Sequence, residues 1–269
     1  MDVNGKHVVI SGASGGLGRV LCRQLIEKGA RVTALDLNRD ELAELTRAIP
    51  SDRFQSHRLD VTDVRQCREI LEAAVTECGD ADLLINNAGI THFSSVLETD
   101  LSIIDQVMAV NFSGSVNCSK LLLPGLIRRR GMIVAVSSVA GFTPLHGRCA
   151  YAASKHAMIG FFATLRAEVA EQGVRVMIVC PSFVATQQGN LKGAGLYEGT
   201  ARPGQASQTI GKSMTPEEAA SIMIRAIERE SRFLPLGRVA RVSWWVSRLF
   251  PTLLERIMIR QTRREVESH

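Results

Sequence analysis

Apolar runs of five to seven residues recur along the chain: HVVIS (7–11), RVTALD (31–36), RFQSHRL (53–59), DLLIN (82–86), MIVAVS (132–137), VRVMIVC (174–180) and RFLPL (232–236). Most lack the polar alternation of a half-solvated strand, so they read as strands covered on both faces. Between them lie stretches whose apolar positions recur every three to four residues, near 17–29, 39–48, 63–78, 101–129, 152–172 and 215–229. These read as amphipathic helices. Strands alternating with helices imply βαβ units and a parallel sheet, with right-handed crossovers that place helices on both faces. The expected architecture is an α/β, Rossmann-type doubly wound sheet of about seven strands. Thr215, Pro216 and Glu218 mark one helix start clearly: an N-cap, a proline at the first helical position and a capping-box glutamate.

Two segments break the rhythm. From Gln187 to Ser213 the chain carries six glycines and Pro203. A loop this long inside a compact domain reads as a lid or a disordered segment, and it follows the sixth strand on the side where open α/β sheets bind ligands. After Leu236, Val239, Val242, Val246, Leu249, Leu253 and Ile257 recur at three- and four-residue steps, with arginines on other faces and Pro251 dividing the run into two helices. The expected organisation is one domain over 1–236 followed by a basic amphipathic tail over 237–269.

Composition changes this picture little. The 269 residues are 45% hydrophobic and 22% charged, which suits one large core, and no linker or repeat divides them. The opening MDVNGKHVVISG enters a strand without a basic and then long apolar leader, so no secretory signal is expected. The six cysteines form no C-x-x-C pair and no zinc-ligand spacing, so they read as reduced thiols of a cytoplasmic protein, and no metal is expected. The net charge of +5 is unevenly placed. Residues 232–264 hold eight arginines and one acid, a local +7 that leaves the rest near −2. No nucleic-acid-binding module accompanies that charge.

The first strand runs into SGASGGLG, which opens a helix at once. Gly12, Gly16 and Gly18 allow a tight turn and close approach of the backbone to a pyrophosphate, which the helix N-terminus favours electrostatically. Asp36 ends the second strand about 20 residues on, where a carboxylate accepts hydrogen bonds from ribose hydroxyls and repels a 2′-phosphate. This favours NAD(H), although nearby Arg39 leaves NADP(H) open. The alternative is an aspartate that starts a turn or caps the next helix. Asp60, ending the third strand, is placed to bond an adenine amino group.

Tyr151 and Lys155 stand four residues apart in YAASK, on one face of a helix. A free phenol ionises near ~10 and is a poor acid or base at neutral pH, whereas an adjacent cation favours the phenolate. Ser138 lies thirteen residues before the tyrosine. Together with SGASGGLG (11–18), Asp60-Val61, NNAG (86–89), Asn111 in VNFSG and Ser138 in AVSSVAG, the pattern resembles the classical short-chain dehydrogenase/reductase family over about residues 5–235.

The resemblance implies that Tyr151 is the general acid/base and that Lys155 holds the nicotinamide ribose and lowers the tyrosine's pKa. It implies that Ser138 hydrogen-bonds the substrate oxygen, and that Asn111 bends its helix to hold a water in a relay to Lys155. Ser137 facing the site, and an Asn111 that only satisfies buried backbone, are the plainer alternatives. Ser14 and Leu17 in the glycine loop would also line the cofactor. Val61, Asn87, Ala88 and Gly89 would line the adenosine side. Pro181, Val184 and Thr186 would line the carboxamide side, where Ser182 replaces the family's usual glycine.

The implied reaction passes a hydride between the nicotinamide and a carbinol or carbonyl carbon, with a non-catalytic dinucleotide sensor or scaffold as the alternative. Thr91, His92, Phe93, Phe142, Leu145, His146, Phe183 and Leu196 are pocket candidates, mostly apolar, which suits a lipophilic alcohol or ketone. The two histidines read as satisfied loop residues. By analogy with the family, a homodimer or homotetramer through 101–129 and 152–172 is expected. The tail suits either an anionic membrane surface, with Trp244 and Trp245 at the interface, or packing on the lid or a neighbouring subunit.

Overall fold

The computed structural model describes residues 1–185, 195–197 and 213–267. Its strands are β1 (His7–Ser11), β2 (Arg31–Asp36), β3 (Phe54–Arg58), β4 (Leu83–Asn86), β5 (Thr91–Phe93), β6 (Met132–Val136), β7 (Arg175–Pro181), β8 (Gly195–Tyr197) and β9 (Phe233–Leu236). The helices are α1 (Gly16–Glu27), α2 (Arg39–Ala48), α3 (Val64–Cys78), α4 (Leu101–Met108), α5 (Gly114–Arg129), α6 (Cys149–Glu168), α7 (Pro216–Glu228), α8 (Arg238–Leu249) and α9 (Pro251–Glu267). Seven strands form one parallel sheet in the order β3-β2-β1-β4-β6-β7-β9. The expected doubly wound fold is therefore present. The short β5 pairs with β8 outside this sheet, in register Thr91 with Gly195. No apolar run announces either strand.

Alternate side chains of the sheet feed two cores. Val8, Ile10, Leu83 and Ile85 pack with Leu21, Leu25, Met223 and Ile224 of α1 and α7. Val9, Leu84 and Ile133 pack with Leu71, Leu122, Leu126 and Phe162 of α3, α5 and α6. This period of two, buried on both sides, explains why the strands read as continuous apolar runs. The strand order turns back between β1 and β4, so their carboxyl ends open the crevice where sheets of this kind take ligands. At the opposite end of the sheet, a cleft of about 280 Å³ is lined by His7, Arg31, Asp80, Asp82 and Arg129. Its polar groups pair with one another: His7 bonds Gly79 O and Thr33 Oγ1, and Asp82 accepts from the His7 amide, Lys6 and Arg129. That cleft is structural and remote from the crevice.

The stretch expected as one helix over 101–129 is interrupted. Ala109–Ser113 winds as a π-turn between α4 and α5, and Asn111 sits at its centre. The capping signals hold. Thr215 and Glu218 form the reciprocal box with Pro216 in the first turn of α7, and Pro251 opens α9 after α8 ends. No helix among the described residues is long and apolar enough to cross a membrane.

Candidate active site

The loop between β1 and α1 is shaped by backbone contact. Gly12 has φ +65, and a Cβ there would lie 2.7 Å from Ala88 Cα. Gly18 packs against the Gly12 carbonyl, and its Cβ would meet Ala13 Cα at 2.8 Å. Only glycine fits either position. Asn87 closes the neighbouring turn by donating Nδ2 to Gly12 O at 2.8 Å, and Ser11 Oγ accepts from the amides of Asn87 and Ala88. Asn87, Ala88 and Gly89 are thus tied to the glycine loop at the switch point. Gly16 and Leu17 begin α1, and the buried Leu17 packs into the core beneath the loop. The first turn of α1 has no side-chain cap for its amides and follows a turn that only glycine fits, a cradle suited to the phosphates of a dinucleotide.

Asp36 is bound into the same cradle. Its Oδ2 accepts from the Ser14 amide at 2.9 Å and its Oδ1 from the Asn38 amide at 3.2 Å. The cap of α2 falls to Asn38, which accepts from the amides of Asp40 and Glu41. The capping half of the alternative for Asp36 is therefore set aside, while its bond to the Asn38 amide makes it the start of a turn as well. Ser14 Oγ donates to Glu41 at 3.2 Å, placing a second carboxylate beside the first. Asp60 Oδ1 accepts from the amide and hydroxyl of Thr62. Val61 lies in the core against Gly114, and its carbonyl accepts from Asn117 at 3.0 Å.

The chemical groups converge where β6 ends and α6 begins. Ser138 leaves β6 in extended conformation; its Oγ accepts from the Ala140 amide at 3.1 Å, and its side chain lies near enough to Tyr151 to act on the phenol. Ser137 turns the other way and donates to the Lys155 carbonyl at 2.9 Å. Ser138, not Ser137, faces the tyrosine. Lys155 is buried, with Nζ donating to Val136 O at 2.9 Å and standing 5.7 Å from the centre of the Tyr151 ring. Gly89 adjoins both Asn111 Oδ1 and Lys155 Nζ, at 3.2 and 3.5 Å from where a Cβ would stand, so the NNAG turn and the lysine share one wall.

Burial pushes the Tyr151 phenol above its ordinary value, and the Ser138 hydrogen bond and the Arg148 charge pull it back. Burial brings the Lys155 ammonium down to about 8. The amine is directed to the Val136 carbonyl, its own charge is penalised by burial, and the cation acting on the phenol is Arg148. Sequence reading missed Arg148, although its place three residues before Tyr151 puts it one helical turn away. Its guanidinium donates to Thr91 Oγ1 at 3.1 Å and lies over the Phe93 ring. Cys180, read from sequence only as one of six reduced thiols, is a further neighbour. It lies close enough to interact with Lys155, and burial pushes its thiol up to about 12, so it stays protonated.

Asn111 is fully buried. Its Oδ1 accepts from the Ile90 amide at 2.8 Å, and its Nδ2 donates to Ile90 O and to Ser154 Oγ. These are the bonds of the plainer alternative, backbone satisfaction, and they coincide with the π-turn, which supplies the expected bend. Ser182 turns away from the crevice: its amide and hydroxyl both bond Leu236 O, next to Gly237. Val184 bridges to Met214, whose bonds go to Phe183 O and the Ala185 amide, so Val184's own N–H points away from Met214. Thr186 lies outside the described residues, as does nearly all of the 187–213 loop, and so do the side-chain contacts of Leu196.

Among the other pocket candidates, Phe93 and His146 meet edge to face with centres 6.5 Å apart. His92 is buried in β5 rather than held in a loop. Phe142 meets Trp244 edge to face at 5.1 Å. All six cysteines are free, and no metal-holding cluster occurs among the described residues.

A family model described as short chain dehydrogenase matches residues 6–194. A dehydrogenase/reductase SDR family protein 7-like from Anopheles gambiae is 33% identical over 267 residues, covering 95% of this chain and 83% of the relative. A short-chain dehydrogenase from Streptomyces avermitilis superimposes with TM-score 0.81 at 28% identity, covering 98% of this chain and 97% of the other. A short-chain dehydrogenase from Burkholderia cenocepacia, solved in complex with NADP, gives TM-score 0.80 at 26% identity, covering 96% and 99%.

Proposed function

Because the chain belongs to the short-chain dehydrogenase family, we propose that it interconverts a secondary alcohol and a ketone or aldehyde, using NAD(H) in preference to NADP(H). One observation carries this reading. The neighbouring Ser138 and Tyr151, the buried Lys155 and the π-turn Asn111 gather at the same end of the sheet as the glycine cradle. Bound in that cradle, a nicotinamide dinucleotide would supply or accept the hydride.

The remaining chemistry belongs to the protein. Tyr151 holds the proton exchanged with the substrate oxygen, and Ser138 bonds the same oxygen and steadies the charge that develops there. Lys155, with its pKa brought to about 8, can hold or release a proton near neutral pH and reaches the ribose side through its place beside Gly89. Arg148 draws the buried phenol back toward working pH. Asn111 fixes the Ile90 turn and Ser154, and so the spacing between the NNAG wall and α6.

The preference for NAD(H) rests on Asp36 and Glu41. Both carboxylates bond Ser14, one through its amide and the other through its hydroxyl, so a 2′-phosphate beside Asp36 would meet two negative charges. The lipophilic substrate class rests on Phe93, Phe142 and the Trp244 face packed behind Phe142. The test is a panel of alcohols and ketones, lipophilic compounds first, followed by NADH and NADPH absorbance. Turnover of lipophilic secondary alcohols with NAD is expected. Turnover confined to small polar diols or sugars, or faster turnover with NADP, would overturn those parts of the reading.

A further inference from the structure

Helix α8 packs on the domain with one face, α9 packs on α8, and the two helices turn an apolar row outward. In α8 the inward side is Ala240, fully buried, and Trp244, which lies on Phe233 at 4.1 Å and on Phe142 at 5.1 Å. At about 100° per residue, Leu249 stands about 180° from Ala240, and Val242 and Trp245 flank it. All three are more than 60% exposed. Phe250, Leu253 and Ile257 continue the exposed apolar row into α9. A helix whose core contacts are already made has no folding reason to present such a row to water, and a patch of this kind marks an interaction surface.

The charge beside the row decides between occupants. Arg238, Arg241, Arg248, Arg256 and Arg260 are exposed along the same two helices, and Glu255 is the one acid between Arg232 and Arg264. Two copies of this chain meeting here would bring two such arginine sets together. A layer of anionic headgroups over an apolar interior matches both the charge and the exposed tryptophan.

We propose that α8 and α9 dock the protein on anionic phospholipid membranes, with Val242, Trp245, Leu249, Phe250 and Leu253 entering the interface and the arginines meeting the headgroups. Trp244 is not part of the docking face; it couples α8 to Phe142, four residues beyond Ser138. The crevice wall therefore stands one aromatic layer from the bound surface. That last relation bears on the substrate class proposed above; docking itself stands apart from the catalytic reading.

The experiment is co-sedimentation of the full chain with vesicles of phosphatidylcholine alone or with added phosphatidylglycerol, at low and high salt. Binding to the anionic vesicles, its reversal by salt, and weak binding to the neutral ones are expected. The double variant Trp245→Ser/Leu249→Ser should bind at least tenfold more weakly, and Arg241→Gln/Arg256→Gln about fivefold more weakly per charge removed. Light scattering of the unbound proteins provides the other arm. The proposal is overturned by equal pelleting with both vesicle types, by none with either, by undiminished binding of Trp245→Ser/Leu249→Ser, or by a wild-type dimer that this variant converts to monomer.

Discussion

Replacing Lys155 with methionine should stabilise the protein at neutral pH while removing a group proposed to serve the reaction. The ammonium is buried and its pKa falls from the ordinary 10.5 to about 8. At about 1.4 kcal/mol per pH unit, keeping the proton inside the fold costs roughly 3 kcal/mol. Below pH 8 both folded and unfolded chains hold the proton, and the full penalty applies. Between about 8 and 10.5 the unfolded chain holds the extra proton, so stability rises with pH; above that range the penalty is gone. Methionine fills similar volume without the charge but forfeits the bond to Val136 O, worth about 1 kcal/mol. Lys155→Met should therefore gain about 2 kcal/mol at pH 7 and about nothing at pH 9.5, where more than half of the penalty has lapsed. Urea unfolding of both proteins at the two pH values measures this, and a rise of roughly 5 °C in Tm at pH 7 should accompany it. A variant no more stable than wild type at pH 7, or a gain equal at both pH values, would refute the reasoning.

Asp36→Ala should narrow the proposed NAD over NADP preference by tenfold or more in kcat/KM and weaken binding of both cofactors, because the same carboxylate fixes Ser14; an unchanged preference would show that Asp36 does not select the cofactor. Arg148→Gln removes a charge that lowers the Tyr151 pKa. The alkaline-rising limb of alcohol oxidation should move to higher pH with little change in NADH affinity. A shift toward lower pH, or an unmoved profile, would show that Arg148 does not act on the phenol.

The sheet was legible because its strands are buried on both faces, so apolar runs such as HVVIS and RVTALD coincide with β1 and β2 end to end. The glycine loop and the Tyr151–Lys155 pair were legible because their spacing is dictated locally, by a turn and by a helix. What escaped was set by contacts distant in sequence. The π-turn at Asn111 comes from an amide that grips Ile90, twenty-one residues away. β5 exists through pairing with β8 across the chain, and nothing in THF marks it. Ser182, standing where the family usually has glycine, is bonded to Leu236, which only the β7–β9 pairing brings near. The tail's period was visible, but its direction was not. Trp244 faces inward because Phe142 and Phe233 meet it there, while Trp245 faces out.

Proton exchange by Tyr151 beside the cofactor cradle is the central step proposed for this protein. The direct measurement is transfer of deuterium from C4-deuterated NADH to the carbonyl carbon of a ketone that the wild-type enzyme reduces, paired with NADH binding by fluorescence, for wild type and Tyr151→Phe. Tyr151→Phe should bind NADH within a few fold of wild type and transfer the label at least a thousandfold more slowly, at the level general acid catalysis and its supporting contacts supply. Transfer by Tyr151→Phe at near the wild-type rate would contradict the account.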